Sequence, residues 1–151
     1  MIRRSIERTI LRDFTRKKVI VLLGARQVGK TTLLEGLHNK KEKVLSINCD
    51  DLDDTLLIEE KTSTELRALF APYDMVFIDE AQRVKNIGLT LKKIGDLKLD
   101  TKVIVTGSSS LELAGEVNEP ATGRLIEYHL FPFSLAELAA ETSEREEQRM
   151  L

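Results

Sequence analysis

The sequence predicts an α/β fold: a three-layer α/β/α sandwich built on a mostly parallel sheet. Three observations predict it. Short apolar runs recur at residues 19–23, 44–47, 75–78, 103–105 and 125–130. Helical patterns fill the intervals between them. A glycine-rich loop joins the first run to the first of those patterns. Strands alternating with helices build right-handed βαβ units whose helices cover both faces of a sheet.

The chain opens on a helical pattern at residues 1–16, set apart from a core at 17–141 and an acidic tail at 142–151. Ile2, Ile6, Ile10 and Phe14 repeat every four residues, and so do Arg4, Arg8, Arg12 and Arg16. A two-residue offset is about 200° around a helix, so the two stripes face opposite ways. The apolar stripe should dock on the domain or on a partner. The arginine stripe reads either as a solvated face or as a surface for nucleic acid or an acidic partner.

The first four apolar runs lack alternation, as strands covered on both faces do. The fifth alternates Leu125, Glu127 and His129 with Ile126, Tyr128 and Leu130, which points to an edge position. Among the helices, residues 63–70 carry Leu66, Leu69 and Phe70 at helical spacing, with Thr62 and Glu65 placed as a capping box. Residues 86–97 show Ile87, Leu91, Ile94 and Leu97 on one face. A further helix is expected at 134–140, opened by Ser134 and Glu137.

The loop after the first run, Gly24-Ala25-Arg26-Gln27-Val28-Gly29-Lys30-Thr31, fills every fixed position of G-x-x-x-x-G-K-[ST]. It follows a strand and opens a helix, the setting that pattern requires. Its glycines let backbone N–H groups and the helix N-terminus wrap a polyphosphate. Lys30 supplies a cation for the β- and γ-phosphates, Thr31 a hydroxyl for Mg²⁺, and Thr32 completes the loop. A nucleotide is the expected ligand.

Met75-Val76-Phe77-Ile78-Asp79-Glu80 is an apolar strand ending in two acids. Asp79 is placed to hold Mg²⁺ opposite Thr31, and Glu80 to polarise the water that attacks the γ-phosphate. Glu80 favours hydrolysis over simple binding. The run ending Val105-Thr106-Gly107-Ser108-Ser109-Ser110 brings hydroxyls to the same crevice, because ligands of open α/β sheets sit beyond the strands' carboxyl ends. Ser108, with Thr106 beside it, is the candidate sensor of the γ-phosphate, and Ser110 the cap of a helix at 111–114. Charge developing on the transferred phosphoryl group calls for an arginine. Arg26, Arg83 and Arg124 are the candidates, with Arg124 better placed for a neighbouring subunit or loop.

Composition bounds the rest. The chain has 151 residues, 42% of them hydrophobic and 32% charged, which fits one globular domain and not a disordered chain. No apolar run approaches a membrane span, and the start lacks a signal-peptide core, so a cytoplasmic protein without membrane attachment is expected. A single cysteine, Cys49, argues against a zinc site and reads as a small buried residue. His38 and His129 lack partners at recognisable spacings. Charge is spread unevenly: residues 1–18 carry seven Lys/Arg against Glu7 and Asp13, Asp50, Asp51, Asp53 and Asp54 form an acidic cluster, and the end is acidic too.

Four segments occur in order: the loop ending Lys30-Thr31-Thr32, then Phe77-Ile78-Asp79-Glu80-Ala81-Gln82, then Val105-Thr106-Gly107-Ser108-Ser109, then Gly123-Arg124 with Leu130-Phe131-Pro132-Phe133-Ser134-Leu135-Ala136-Glu137. Together they resemble a prokaryotic branch of the AAA-superfamily ATPases, related to archaeal-type and STAND-like P-loop ATPases. The resemblance spans about residues 17–141. It implies a RecA/AAA-like core binding ATP and Mg²⁺, with Lys30 and Thr31 as the loop pair. Asp79 and Glu80 are then the metal-side and catalytic acids, and Ser108 or Thr106 stands at the sensor position. The pattern normally continues into a further C-terminal region. Its helical lid and second sensor arginine are not seen here, which implies either a longer protein or a partner that completes the site.

The leading expectation is an ATPase that uses Mg²⁺ and whose cycle drives or signals a conformational change. The alternative is a nucleotide-dependent switch that engages protein or nucleic acid, or a second copy of itself, with little hydrolysis alone. A small-molecule kinase fits the paired acids less well. A GTPase would want an Asn-Lys-x-Asp segment near the late strands.

Overall fold

A computed structural model of the chain describes residues 2–14, 16–24, 36–108 and 125–130, with side chains from Glu7 onward. Ala25 to Thr32 of the phosphate loop, Ser110, Arg124, the expected helices at 111–114 and 134–140 and the tail at 142–151 lie outside the described residues.

Helix α1 (Ile2–Phe14) leads into strand β1 (Val19–Gly24). There follow β2 (Val44–Asn48), α2 (Leu52–Leu56), α3 (Ser63–Phe70) and β3 (Met75–Asp79). A 3₁₀ turn (Ala81–Arg83), α4 (Ile87–Asp96), β4 (Lys102–Gly107) and β5 (Leu125–Leu130) complete the order. The strands form one sheet in the order β2-β3-β4-β1-β5 with every pair parallel. Helices on both faces make it the three-layer α/β/α sandwich that the alternation predicts.

Parity sorts β1 between two cores. Val19, Val21 and Leu23 face a cluster built with Leu66 and Phe70 of α3 and Ile87, Leu91 and Ile94 of α4. Ile20 and Leu22 face the other way, against Ile10 and Phe14 of α1 with Met75 and Ile104. All six β1 residues are buried, as a central strand with helices above and below must be. Ile10 and Phe14 of the N-terminal helix therefore dock on the sheet, while Arg8, Arg12 and Arg16 face outward.

The edges behave differently. β5 is an edge strand, as its alternation predicts. β2 departs from expectation: it forms the opposite edge, and Ile47 is its one buried residue. With a single neighbouring strand, its outer flank stays open to solvent despite an apolar sequence.

The capping box of α3 forms in both directions. Glu65 N donates to Thr62 Oγ1 and Thr62 N to Glu65 Oε1, each at 3.1 Å. The short helix α2 was not legible from periodicity, because the acidic cluster builds it. Asp51 caps its start by accepting from Asp53 N at 2.9 Å, and Asp54 Oδ2 accepts from Asn48 N at 2.9 Å.

Candidate nucleotide site

Parallel strands bring their carboxyl ends to one edge of the sheet, where the ligands of such folds collect. Strand order decides which residues meet there. β4 lies between β1 and β3, so its last residues stand between Gly24, where the phosphate loop begins, and the acids that end β3. Leu23 is level with Gly107, and Ile78 with Val105, which puts Thr106 beside Asp79.

Asp79 closes β3 with its backbone still in the ladder, its carbonyl accepting from Cys49 N at 2.9 Å. Its side chain is fixed through one oxygen. Thr106 Oγ1 donates to Asp79 Oδ1, and Glu80 N donates to the same oxygen at 3.0 Å. Glu80 N also approaches Thr106 Oγ1 at 3.3 Å. Thr106 is fully buried and Asp79 partly so, which puts this triangle at the rim of the core.

Glu80 adopts left-handed backbone angles, φ 56° and ψ 45°. A non-glycine residue there is uncommon and concentrates at functional sites. The turn carries the chain off β3 at once into the 3₁₀ segment, leaving the Glu80 side chain only 5% exposed. Its Oε2 accepts from Gln82 Nε2 at 2.7 Å, and the other end of that amide, Oε1, accepts from Ser108 N at 3.2 Å. Gln82 is the residue that sequence reasoning missed, although the Asp-Glu-Ala-Gln string displayed it two positions after Glu80.

The structure thus brings Gly24, Asp79, Glu80, Thr106 and Ser108 to one edge. Thr106 contributes a side chain that reaches Asp79. Arg83 Nε lies 3.3 Å from Asp50 Oδ1, which draws one candidate arginine toward the β2–α2 turn of its own chain. Leu125, the residue after Arg124, is level with Val19, at the opposite end of β1 from Gly24. Burial pushes the Cys49 thiol up to about 12, helped by Asp79, Asp54 and Asp50 and opposed by Thr55. Cys49 is thus a neutral thiol under the acids.

The donor set fits Mg²⁺. Asp79 offers a hard carboxylate oxygen at a strand end, and no donor among the described residues reaches its Oδ2. No group of three or more His, Cys, Asp or Glu converges among the described residues. A single carboxylate such as Asp79, with water and substrate phosphates, is the usual Mg²⁺ arrangement.

Residues 16–139 match the model of a family described as AAA domain. The chain belongs to that AAA family. As such it is an AAA-superfamily P-loop ATPase core, of a family that binds nucleotides. Curated relatives include an uncharacterized protein of Mycobacterium tuberculosis, 26% identical over 95% of this chain and 32% of its own length. Another, from Methanocaldococcus jannaschii, is 28% identical over 80% of this chain and 28% of its own. The AAA core therefore spans about a third of the curated relatives it matches. Among solved structures, a DNA replication initiation factor superposes with TM-score 0.53 at 17% identity, covering 93% of this chain and 49% of that one. This likeness is one of fold. Among the described residues no helix is long and apolar enough to cross a membrane.

Proposed function

We propose that this AAA core binds ATP with Mg²⁺ and hydrolyses it, driving or signalling a conformational change. The observation that carries the reading is the meeting of the β1 end at Gly24 with Asp79 and Glu80, across Thr106 of β4 and Ser108 just after it. Gly24 to Thr32 would wrap the phosphates, with Lys30 on the β- and γ-oxygens. Thr31 and Asp79 would hold Mg²⁺, which when bound neutralises charge on those oxygens. Glu80 would orient and deprotonate the attacking water, and Ser108 would sense the γ-phosphate. Arg124 or Arg26 would meet the developing charge, the former from a neighbouring copy.

The test is phosphate release from ATP and Mg²⁺, beside nucleotide affinity, for the wild type, Lys30→Ala and Glu80→Gln. Loss of binding in Lys30→Ala, with retained binding and lost turnover in Glu80→Gln, is the expected result. Wild-type turnover in Glu80→Gln would overturn the assignment of Glu80.

A second reading is a nucleotide-dependent switch with little hydrolysis by itself, working with a protein, a second copy or nucleic acid. The outward Arg8 and Arg12 of α1, with Arg16 just past its end, favour it. The solved neighbour named as a DNA replication initiation factor makes DNA the nucleic acid to try first. Mobility shifts with and without ATP at two salt concentrations test that version, since phosphate contacts weaken steeply as salt rises. No shift at low salt removes it.

A further inference from the structure

We infer that Gln82 is a positioning residue that sets the Glu80 carboxylate and ties it to the end of β4. The inference rests on the reading of Glu80 as the hydrolytic acid and deepens it.

The amide of Gln82 is used at both ends. Its Nε2 donates to Glu80 Oε2 at 2.7 Å, and its Oε1 accepts from Ser108 N at 3.2 Å. The three residues come from two separate stretches of chain, joined by a group that is at once donor and acceptor. A carboxylate or an aliphatic side chain of the same length lacks one or both ends. The anchorage is stiff. Glu80 sits in its left-handed conformation, and the 3₁₀ turn closes with Arg83 N donating to Glu80 O at 3.1 Å and Val84 N to Ala81 O at 3.0 Å. Gln82 is thus held by the turn that Glu80 itself begins.

Two consequences follow for the acid pair. Fixing Oε2 of Glu80 sets the direction in which Oε1 faces, and a general base must reach its proton in a defined geometry. Each acid is also tied to a different residue at the end of β4: Asp79 to the hydroxyl of Thr106 within the strand, Glu80 through Gln82 to the amide of Ser108 just past it. A shift of Ser108 on phosphate binding would then turn the Glu80 carboxylate without moving β3.

The test compares the wild type with Gln82→Met, which keeps the length and loses both bonds. It adds Gln82→Glu, which keeps an acceptor for Ser108 N and sets a carboxylate against Glu80. The expected result is kcat reduced about ten- to a hundredfold in Gln82→Met, as misplaced catalytic groups cost. The loss should be greater in Gln82→Glu, with KM and ATP affinity unchanged in Gln82→Met. Tm should fall by a few degrees in both, since Glu80 loses a partner in each and the Ser108 amide loses one in Gln82→Met. Normal kcat in Gln82→Met beside an inactive Glu80→Gln would overturn the inference and leave the reading of Glu80 standing. Normal kcat in Glu80→Gln would overturn both. Parallel loss of affinity and Tm in Gln82→Met would reduce Gln82 to a structural residue and also overturn it. If the wild type itself shows no turnover, NMR resonances replace kcat. Movement of the Gln82 side-chain amide in Glu80→Ala and of the Ser108 N–H in Gln82→Met is expected, and the absence of either overturns the inference.

Discussion

Tyr128 on the edge strand β5 donates its hydroxyl to Asp13 near the end of α1, 115 residues earlier in the chain. Asp13 is only 4% exposed, with Arg12 Nε at 3.9 Å and Arg16 Nε at 4.0 Å at its solvent side. The bond fastens the N-terminal helix to the last described strand and gives a buried carboxylate a neutral donor. Tyr128→Phe removes the hydroxyl and leaves the acid. Urea unfolding should show a loss of about 1–3 kcal/mol, the usual penalty for a buried group deprived of its partner.

The same contact carries an alkaline signature. Burial, then the hydrogen bond to Asp13, pushes the Tyr128 hydroxyl up to about 12 from its ordinary 10.0. The folded state therefore holds the phenolic proton more tightly than the unfolded state. The stability this contributes is fully present below pH 10 and is lost as pH rises from there through 12. Unfolding measured between pH 9 and 12 should fall more steeply in the wild type than in Tyr128→Phe.

Thr106→Val keeps the shape of a fully buried side chain and deletes its hydroxyl. Asp79 then loses a donor, and Glu80 N one of its acceptors. A loss of about 1–3 kcal/mol is expected by denaturant titration, since buried polar groups are left short of partners. Titrating Mg²⁺ at fixed ATP should show weaker apparent metal affinity, because the Asp79 carboxylate is then held by Glu80 N alone.

Cys49 should be a slow nucleophile. Its thiol is 4% exposed and titrates near 12, so almost none is thiolate at pH 8. Reaction with a disulfide reagent should be at least about a hundredfold slower than for a free cysteine, and should approach the free rate in denaturant. Fast labelling of the native protein would show that the β2–β3 end opens readily.

Arg83 and Asp50 form an ion pair on a largely solvated surface, the guanidinium side chain being 58% exposed. Such pairs contribute about 0–1 kcal/mol. Arg83→Gln should change Tm little and leave ATP turnover within about threefold of wild type. A loss near a thousandfold, the scale of a missing arginine finger, would return Arg83 to the chemistry.

What the sequence made legible was whatever periodicity and local chemistry encode. The apolar runs gave the strands to within a residue or two, and the Thr62–Glu65 spacing placed the start of α3. The Asp79-Glu80 pair could be read because a strand end followed by acids is a local pattern. Edge position was legible for β5, where alternation reports one covered face. It was not for β2, since Val44, Leu45 and Ile47 look like central-strand residues and strand order is a property of the whole sheet. Gln82 escaped for the same reason, and so did the bond of Thr106 to Asp79, although Thr106 itself was read at the site. Each acts through a partner 26 or 27 residues away, and only the placement of β4 between β1 and β3 brings those partners together.

Helix α1 changes where this molecule begins as a physical object. Similarity to the AAA family starts at residue 16, yet Ile10 and Phe14 close one face of the sheet and Asp13 binds its far strand. A protein trimmed to the family boundary would present Ile20, Leu22, Met75 and Ile104 to water, an apolar surface with the character of an aggregation site. The stretch that the family model matches and the stretch that covers this face of the sheet are therefore not the same length.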